Sequence, residues 1–273
     1  MQFMQNSQQV PPVAGSMPAI DILSAHGLTK VYSNTRNKVA ATALNGLDLH
    51  IHAGEFVSIM GPSGSGKSTL LNLLAGLDRP SAGSLFLQGQ DITQMTADRL
   101  ALFRRRQLGF VFQDFNLLDT LTLGENIALP LSLDGMKGNT ITQRVEEVMR
   151  LLGIEAYIKR YPYEVSGGQQ QRAAVARAIV HRPALILADE PTGNLDSASA
   201  RALLALFQRL NRDLQATILM VTHDPLAASY SQRVVCIKDG VVFQSLQRTG
   251  DQQRFFQHIL NLLAQLEGNN GLE

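Results

Sequence analysis

Two hydrophobic periods alternate along the chain. Short continuous apolar runs read as strands buried on both faces: Glu55-Phe56-Val57-Ser58-Ile59-Met60, Ala184-Leu185-Ile186-Leu187-Ala188 and Thr217-Ile218-Leu219-Met220-Val221. Such runs, set between helices, are typical of a parallel sheet covered on both sides. Ala43–Ile51 shows partial alternation and predicts a further strand. The helical period appears in Lys67–Ala75, stopped by Gly76, and from about Thr96 to Tyr161. Within that stretch Val145, Val148, Met149 and Leu152 share a face and Gly153 supplies a stop. A helix from near Ser197 packs Leu203, Leu204, Leu206 and Phe207 into the core. Residues 79–92 predict a hairpin punctuated by Pro80, Gly83 and Gly89. Asp251–Leu266 predicts an amphipathic helix whose apolar side carries Phe256, Ile259, Leu260 and Leu263 and docks on the core. No internal repeat is visible.

Composition narrows the class. With 273 residues, 45% of them apolar, the chain can bury a core of one or two domains. A net charge of +1 gives no sign of a nucleic-acid partner. The single cysteine, Cys236, excludes an internal disulfide and a cysteine-rich zinc site, and its place in Val234–Ile237 predicts a buried strand position. No segment reaches the ~18–20 apolar residues that span a bilayer. Residues 1–19 lack Lys and Arg and a continuous apolar run, so they do not read as a secretory signal. Their Gln, Pro and Ser content predicts a disordered tail, with order from near Ile20. The expected location is the cytoplasm, unless a partner holds the chain at the membrane. Arg104-Arg105-Arg106 reads as a solvated helix end.

Three motifs carry chemistry. Gly61-Pro62-Ser63-Gly64-Ser65-Gly66-Lys67-Ser68-Thr69 fits GxxxxGK[ST] between an apolar strand and a helix. Its glycines let backbone N–H groups converge on phosphate oxygens, and the helix start adds partial positive charge. Lys67 is placed to reach the β- and γ-phosphates of ATP, and Ser68 to bind Mg²⁺. The strand Ala184–Ala188 ends in Asp189-Glu190. Asp189 suits Mg²⁺, which takes few carboxylates plus water and phosphate oxygens, and Glu190 suits polarising the attacking water. An acidic pair before Pro191 could also simply start a helix. Thirdly, Ser166-Gly167-Gly168-Gln169 opens an alanine-rich helix, a second anion-binding helix start. One ATP does not need two such sites. Two chains placed head-to-tail would use both, each ATP lying between the phosphate loop of one and the Ser166 segment of the other.

In order and spacing these motifs resemble the nucleotide-binding domain of ATP-binding cassette (ABC) transporters, over roughly residues 22–240. The resemblance implies an α/β fold: a phosphate-loop core with a mostly parallel sheet, an N-terminal antiparallel β subdomain and a helical subdomain at about 96–163. The cassette would occupy residues 20–250, followed by a C-terminal helix and tail over 251–273. The segment from Val165 resembles the signature motif. Phe112-Gln113-Asp114 resembles the Q-loop, which implies that Gln113 contacts Mg²⁺ and the water. Val221-Thr222-His223-Asp224 resembles the switch segment, placing His223 near the γ-phosphate. Asn194-Leu195-Asp196 resembles the loop that crosses the dimer interface, and Tyr32 sits where an aromatic ring stacks on adenine. The segments 77–80 and 113–131 and the tail around Phe255-Phe256 resemble the bacitracin-resistance branch, within the group that serves lipoprotein release and macrolide efflux. That implies a separate membrane permease, a second copy of this chain, and a place on the inner face of the cell membrane.

Overall fold

The computed structural model describes residues 21–34 and 39–268. The tail expected at residues 1–19 lies outside them.

Elements are numbered in chain order. An antiparallel sheet holds β1 (Asp21–Asn34), β2 (Val39–His52), β4 (Ala82–Leu87) and β5 (Gln90–Asp91), in the order β2-β1-β4-β5. β4 and β5 are the hairpin expected at residues 79–92, turning at Gln88-Gly89. The second sheet has the order β10-β9-β3-β8-β7-β6. Its strands are β3 (Phe56–Met60), β6 (Leu108–Val111), β7 (Leu185–Asp189), β8 (Ile218–Val221), β9 (Arg233–Lys238) and β10 (Val241–Gln247). From β9 to β6 all pairings are parallel, and only β10 runs antiparallel at the edge. β3 and β8 are buried along their whole length, as their mainly apolar sequences require, Ser58 of β3 included.

Helix α1 (Lys67–Leu74) follows β3 and buries Leu70, Leu71, Leu73 and Leu74. Helices α2 (Ala97–Gln107), α3 (Leu123–Leu133) and α4 (Gly138–Leu151) precede α5 (Gly167–Ile179). Leu123, Ile127 and Leu131 of α3 and Val145, Val148 and Met149 of α4 join Ala173, Val175 and Ala176 of α5 in one core. α6 (Ser197–Leu214) buries Leu203, Leu204, Leu206 and Phe207 in the same cluster. A short α7 (Pro225–Ala228) and the long α8 (Gln252–Gly268) complete the fold. Cys236 is buried in β9, and burial pushes its thiol up to about 11, so it packs as a hydrophobe.

Three expectations need correction. The stretch 96–161 is not helical throughout, because β6 interrupts it and forms the sheet edge beside β7. β6 is four residues long, carries Gly109, and follows α2 without a break, so its pattern merges into the helical one. Its Gly109 lies under α5 so closely that a Cβ there would come within 2.2 Å of the Ala178 carbonyl oxygen. Secondly, α8 is turned by about one residue from the expected face. Phe255, Ile259, Leu262 and Leu266 are buried against Met60, Val234 and Cys236, whereas Leu260 is exposed and Phe256 and Leu263 are half-buried. The expected docking on the core is what the helix does, by the stripe at i, i+4, i+7 and i+11. Thirdly, Arg104-Arg105-Arg106 is not a freely solvated end. Arg104 donates to the Gly76 carbonyl at 2.7 Å, while Arg105 and Arg106 pair with Asp134 at 3.4 and 2.7 Å. The run therefore ties α2 to the end of α1 and the end of α3.

The rotated face yields a test. Phe255→Ala should lower unfolding free energy by about 3–5 kcal/mol, as for a large buried aromatic. Leu260→Ala should change it by no more than ~0.5 kcal/mol. Urea midpoints in the reverse order would restore the face expected from sequence.

Candidate nucleotide-binding site

The phosphate loop leaves the carboxyl end of β3, near the middle of the parallel sheet, the place where open α/β sheets gather ligands. Gly61, Gly64 and Gly66 have φ of +150°, +78° and +102°. Two of them are also demanded by contact. A Cβ on Gly61 would lie 2.1 Å from the Ile237 carbonyl oxygen, and one on Gly66 would lie 2.3 Å from that of Ala43. Gly66 occupies the cap position of α1 with no side-chain cap, so the first N–H groups of the helix remain available to an anion. The Ser65 hydroxyl is buried with no hydrogen-bond partner. Lys67 Nζ donates to the Gly61 and Pro62 carbonyls at 2.9 and 2.7 Å, folding the ammonium back over its own loop. Burial lowers its pKa, against the opposing charges of Glu190 and Asp189.

A cavity of about 410 Å³ opens here. The loop lines it through Gly61, Ser63, Gly64, Gly66, Lys67, Ser68 and Thr69, and Glu190, His223 and Ala43 close it. The fold thus brings Glu190 and His223, distant in sequence, to the phosphate loop. Glu190 sits just past β7 with φ of +43°, a costly conformation for a side chain of this kind. It is held there by its own N–H, which donates to the Val221 carbonyl at 2.9 Å. His223 donates to Glu190 Oε1 from its backbone N–H at 3.0 Å and from Nδ1 at 2.9 Å. The ionised carboxylate can only accept, which puts the ring proton on Nδ1. Asp189 ends β7 beside them. Burial raises its pKa, as does the charge of Glu190, and Lys67 opposes both.

Other expected residues stand apart from this cavity. Gln113 lies over the loop after Glu190: its Nε2 donates to Asn194 Oδ1 at 3.2 Å, and a Cβ on Gly193 would touch its amide carbon at 2.8 Å. Asn194 in turn donates to Asp114 Oδ1 at 2.7 Å. Ser166 caps α5 in a reciprocal box, its Oγ accepting from Gln169 N–H at 3.4 Å and Gln169 Oε1 accepting from Ser166 N–H at 2.9 Å. Gly167 and Gly168 open that helix against Phe115 and Ser199, and none of these four residues lines the phosphate cavity. Tyr32 is half-exposed on β1, and its hydroxyl donates to Asp78 Oδ2 at 3.0 Å beneath Lys30. Sequence reasoning missed two residues near the site. Ala43 lines the cavity with no signal in its surroundings. Gln171 is wholly buried, whereas its neighbours Gln169 and Gln170 are half-exposed, and nothing in a run of three glutamines distinguishes it.

A strand-to-helix phosphate loop at the carboxyl edge of a parallel sheet, faced by an acidic strand end, defines a nucleotide-hydrolysing cassette. Residues 44–193 match the family model described as ABC transporter. An uncharacterized ABC transporter ATP-binding protein, YvcR of Bacillus subtilis, is 52% identical, the match covering 92% of this chain and 96% of the relative. The bacitracin export ATP-binding protein BceA of Halalkalibacterium halodurans is 49% identical, covering 90% and 97%. Among solved structures, the dimeric ATP-binding cassette MJ0796 bound to ADP and Pi is 39% identical, with a TM-score of 0.76, covering 84% of this chain and 100% of that one. The chain belongs to the ABC transporter family, as an ATP-binding, ATP-hydrolysing subunit. Among the described residues no helix is long and apolar enough to cross a membrane.

The buried carboxyl of Asp189 gives a pH-dependent prediction. A carboxyl whose pKa rises on folding favours the fold below its unfolded value and opposes it as pH climbs through the raised value. At pH 7 the ionised Asp189 therefore opposes folding of the nucleotide-free chain. Asp189→Asn should raise Tm at pH 7 by about 2–4 °C. The gain should shrink as pH falls through the raised value and vanish below the unfolded value of ~3.9. Thermal melts showing no gain at pH 7 would reject a strained charge at this position.

Proposed function

We propose that two copies of this chain close head-to-tail around two ATP molecules and drive a separate membrane permease that removes bacitracin-like peptides. One observation carries the closure. The glycine-rich start of α5 at Ser166–Gln169, where a side-chain cap is made to the Gln169 N–H, does not line the phosphate cavity of its own chain. A second copy supplies the missing wall. The dimeric cassette that resembles this chain supports that arrangement. The peptide class rests on the 49% identity to a bacitracin export subunit across nearly the whole of both chains.

The residues give each step a place. Lys67 exchanges the Gly61 and Pro62 carbonyls for phosphate oxygens, which restores a full-strength partner to a half-buried ammonium. Glu190, oriented by His223, accepts a proton as water attacks the γ-phosphorus and the bond to the β-phosphate oxygen breaks. Among the described residues no ready cluster of three or more His, Cys, Asp or Glu exists for a metal. Ser68, which lines the cavity, and Asp189, beside Glu190 and Lys67, suit Mg²⁺, which keeps water and phosphate oxygens as most of its ligands, and Gln113 would have to leave Asn194 to join them. They would hold it where it neutralises phosphate charge during hydrolysis. Ser166, Gly167 and Gly168 of the second copy would meet the γ-phosphate, while Tyr32, one ring face of which lies beneath Lys30, would offer the other to adenine.

Glu190→Gln should bind ATP, form an ATP-dependent dimer in size-exclusion chromatography, and lose ~10²–10⁴-fold in kcat, the usual span for a lost general base. Turnover at the wild-type rate would remove Glu190 from that role. In the host strain, Lys67→Ala should give selective hypersensitivity to bacitracin and lantibiotics. Unchanged susceptibility, with the protein at normal level, would end the peptide-resistance reading and turn attention to lipoprotein release.

A further inference from the structure

We propose that Gln171 is a positioning residue that couples the two nucleotide sites of the dimer. The inference rests on the head-to-tail arrangement and extends it. Helix α5 starts at the segment that would meet the nucleotide of the partner. Within its first turn and a half, Gln171 is 0% exposed. Its Nε2 donates to the Phe112 carbonyl at 3.2 Å and to the Pro191 carbonyl at 2.6 Å. Phe112 immediately precedes Gln113, and Pro191 immediately follows Glu190. One amide group thus spans the two loops that carry the water-facing residues of its own site.

The same helix grips the Gln113 loop a second time. Arg177 Nη2 donates to the Phe115 carbonyl at 3.0 Å, and its Nη1 donates to that of Asn116. Phe115 and Asn116 both have positive φ, +60° and +50°, so this loop holds a conformation it would not keep unaided. Three carbonyls of residues 112–116 therefore hang from α5. Gln171 Oε1 has no hydrogen-bond partner, so the two donated bonds alone orient the amide. Any shift of α5 on meeting the partner's phosphate must carry Phe112 and Pro191 with it. That shift re-aims Gln113 and Glu190 in the chain's own site. Nucleotide arriving at one site accordingly sets the alignment of the other.

The test uses the full chain. Gln171→Met keeps length and removes both donors, and Gln171→Glu keeps shape and sets an acceptor against two carbonyls. In steady-state hydrolysis the wild type should show a Hill coefficient above 1. Both variants should fall toward 1, with kcat lowered by about tenfold or more and half-saturating ATP nearly unchanged, as for a misplaced reacting group. Variants that keep the wild-type Hill coefficient and kcat would overturn the proposal, as would wild-type hydrolysis without cooperativity. An ATP-dependent dimer of the Glu190→Gln chain beside either result leaves the head-to-tail reading standing, so the two failures are distinguishable. A second measurement does not depend on folding of a Gln171 variant. A Lys67→Ala chain is paired with a Glu190→Gln chain that binds ATP, and hydrogen exchange is followed in the former. Its residues 112–116 should gain protection on ATP addition although its own site is empty. Unchanged exchange there, with the pair formed, would overturn the coupling.

Discussion

The site depends on two backbone approaches that leave no room for a side chain. Gly61 lies against the Ile237 carbonyl of β9, and Gly66 against the Ala43 carbonyl of β2. The first contact belongs to the parallel sheet and the second to the antiparallel one. The phosphate loop is therefore clamped between the two sheets, and the start of α1 is aimed by both. The β9–β10 turn completes the clamp: Gly240 N–H donates to the Ser65 carbonyl at 3.2 Å, and its own carbonyl accepts from Asn45 at 3.0 Å. A methyl group at Gly61 would push the loop off β9, and one at Gly66 would have to move the antiparallel sheet away from α1. Gly66 is thus a condition for seating the two sheets together as well as for leaving the helix start open.

The carboxylate side of the site is built by a different device. Glu190 is turned into the cavity by a positive φ and kept there by Val221 and His223, two neighbours from β8 and the loop after it. The parallel pairing of β7 with β8 brings Asp189 opposite Val221, so sheet register sets the next residue, Glu190, within reach of the histidine. Backbone strain of this kind persists only where surrounding structure over-determines it. Here the sheet does so, and the side chain is preorganised before any substrate arrives.

Much of this was legible in the sequence, and the exceptions share a cause. Strands β3, β7 and β8 announced themselves because burial on both faces leaves almost wholly apolar runs, broken only by Ser58 and the terminal Asp189. The phosphate loop was legible because backbone approach to an anion restricts residue type at fixed spacing. β6 was not, since its four residues Leu108-Gly109-Phe110-Val111 are broken by a glycine and run straight on from α2, whereas β8 is an unbroken apolar run. The buried face of α8 was displaced because Phe255 and Phe256 offer two equally apolar stripes about 100° apart. Only Met60, Val234 and Cys236 across the contact decide between them. Gln171 was illegible for a related reason: burial of one glutamine among three is a property of where α5 packs. The arginines at 104–106 were misread because their partners, Gly76 and Asp134, are distant in sequence and carry no motif.

The electrostatics of the nucleotide-free site explain why substrate can act as a switch. Burial weakens the charged form of Lys67 and, separately, that of Asp189. Each is stabilised by the other, yet neither has the strong partner it is shaped to meet. On the function proposed above, an arriving phosphate would satisfy the ammonium, and a cation brought with it would satisfy the carboxylate. Both gains would exist only in the bound state, so binding free energy would be concentrated on the proposed closed arrangement. A ligand moves a conformational equilibrium only by the difference in its affinity for the two states. The half-buried, imperfectly paired charges of β7 and the phosphate loop are the source of that difference. Loss of the γ-phosphate on hydrolysis removes it again. A cassette with fully satisfied charges at rest would bind nucleotide with less change of shape, and would transmit less to a partner.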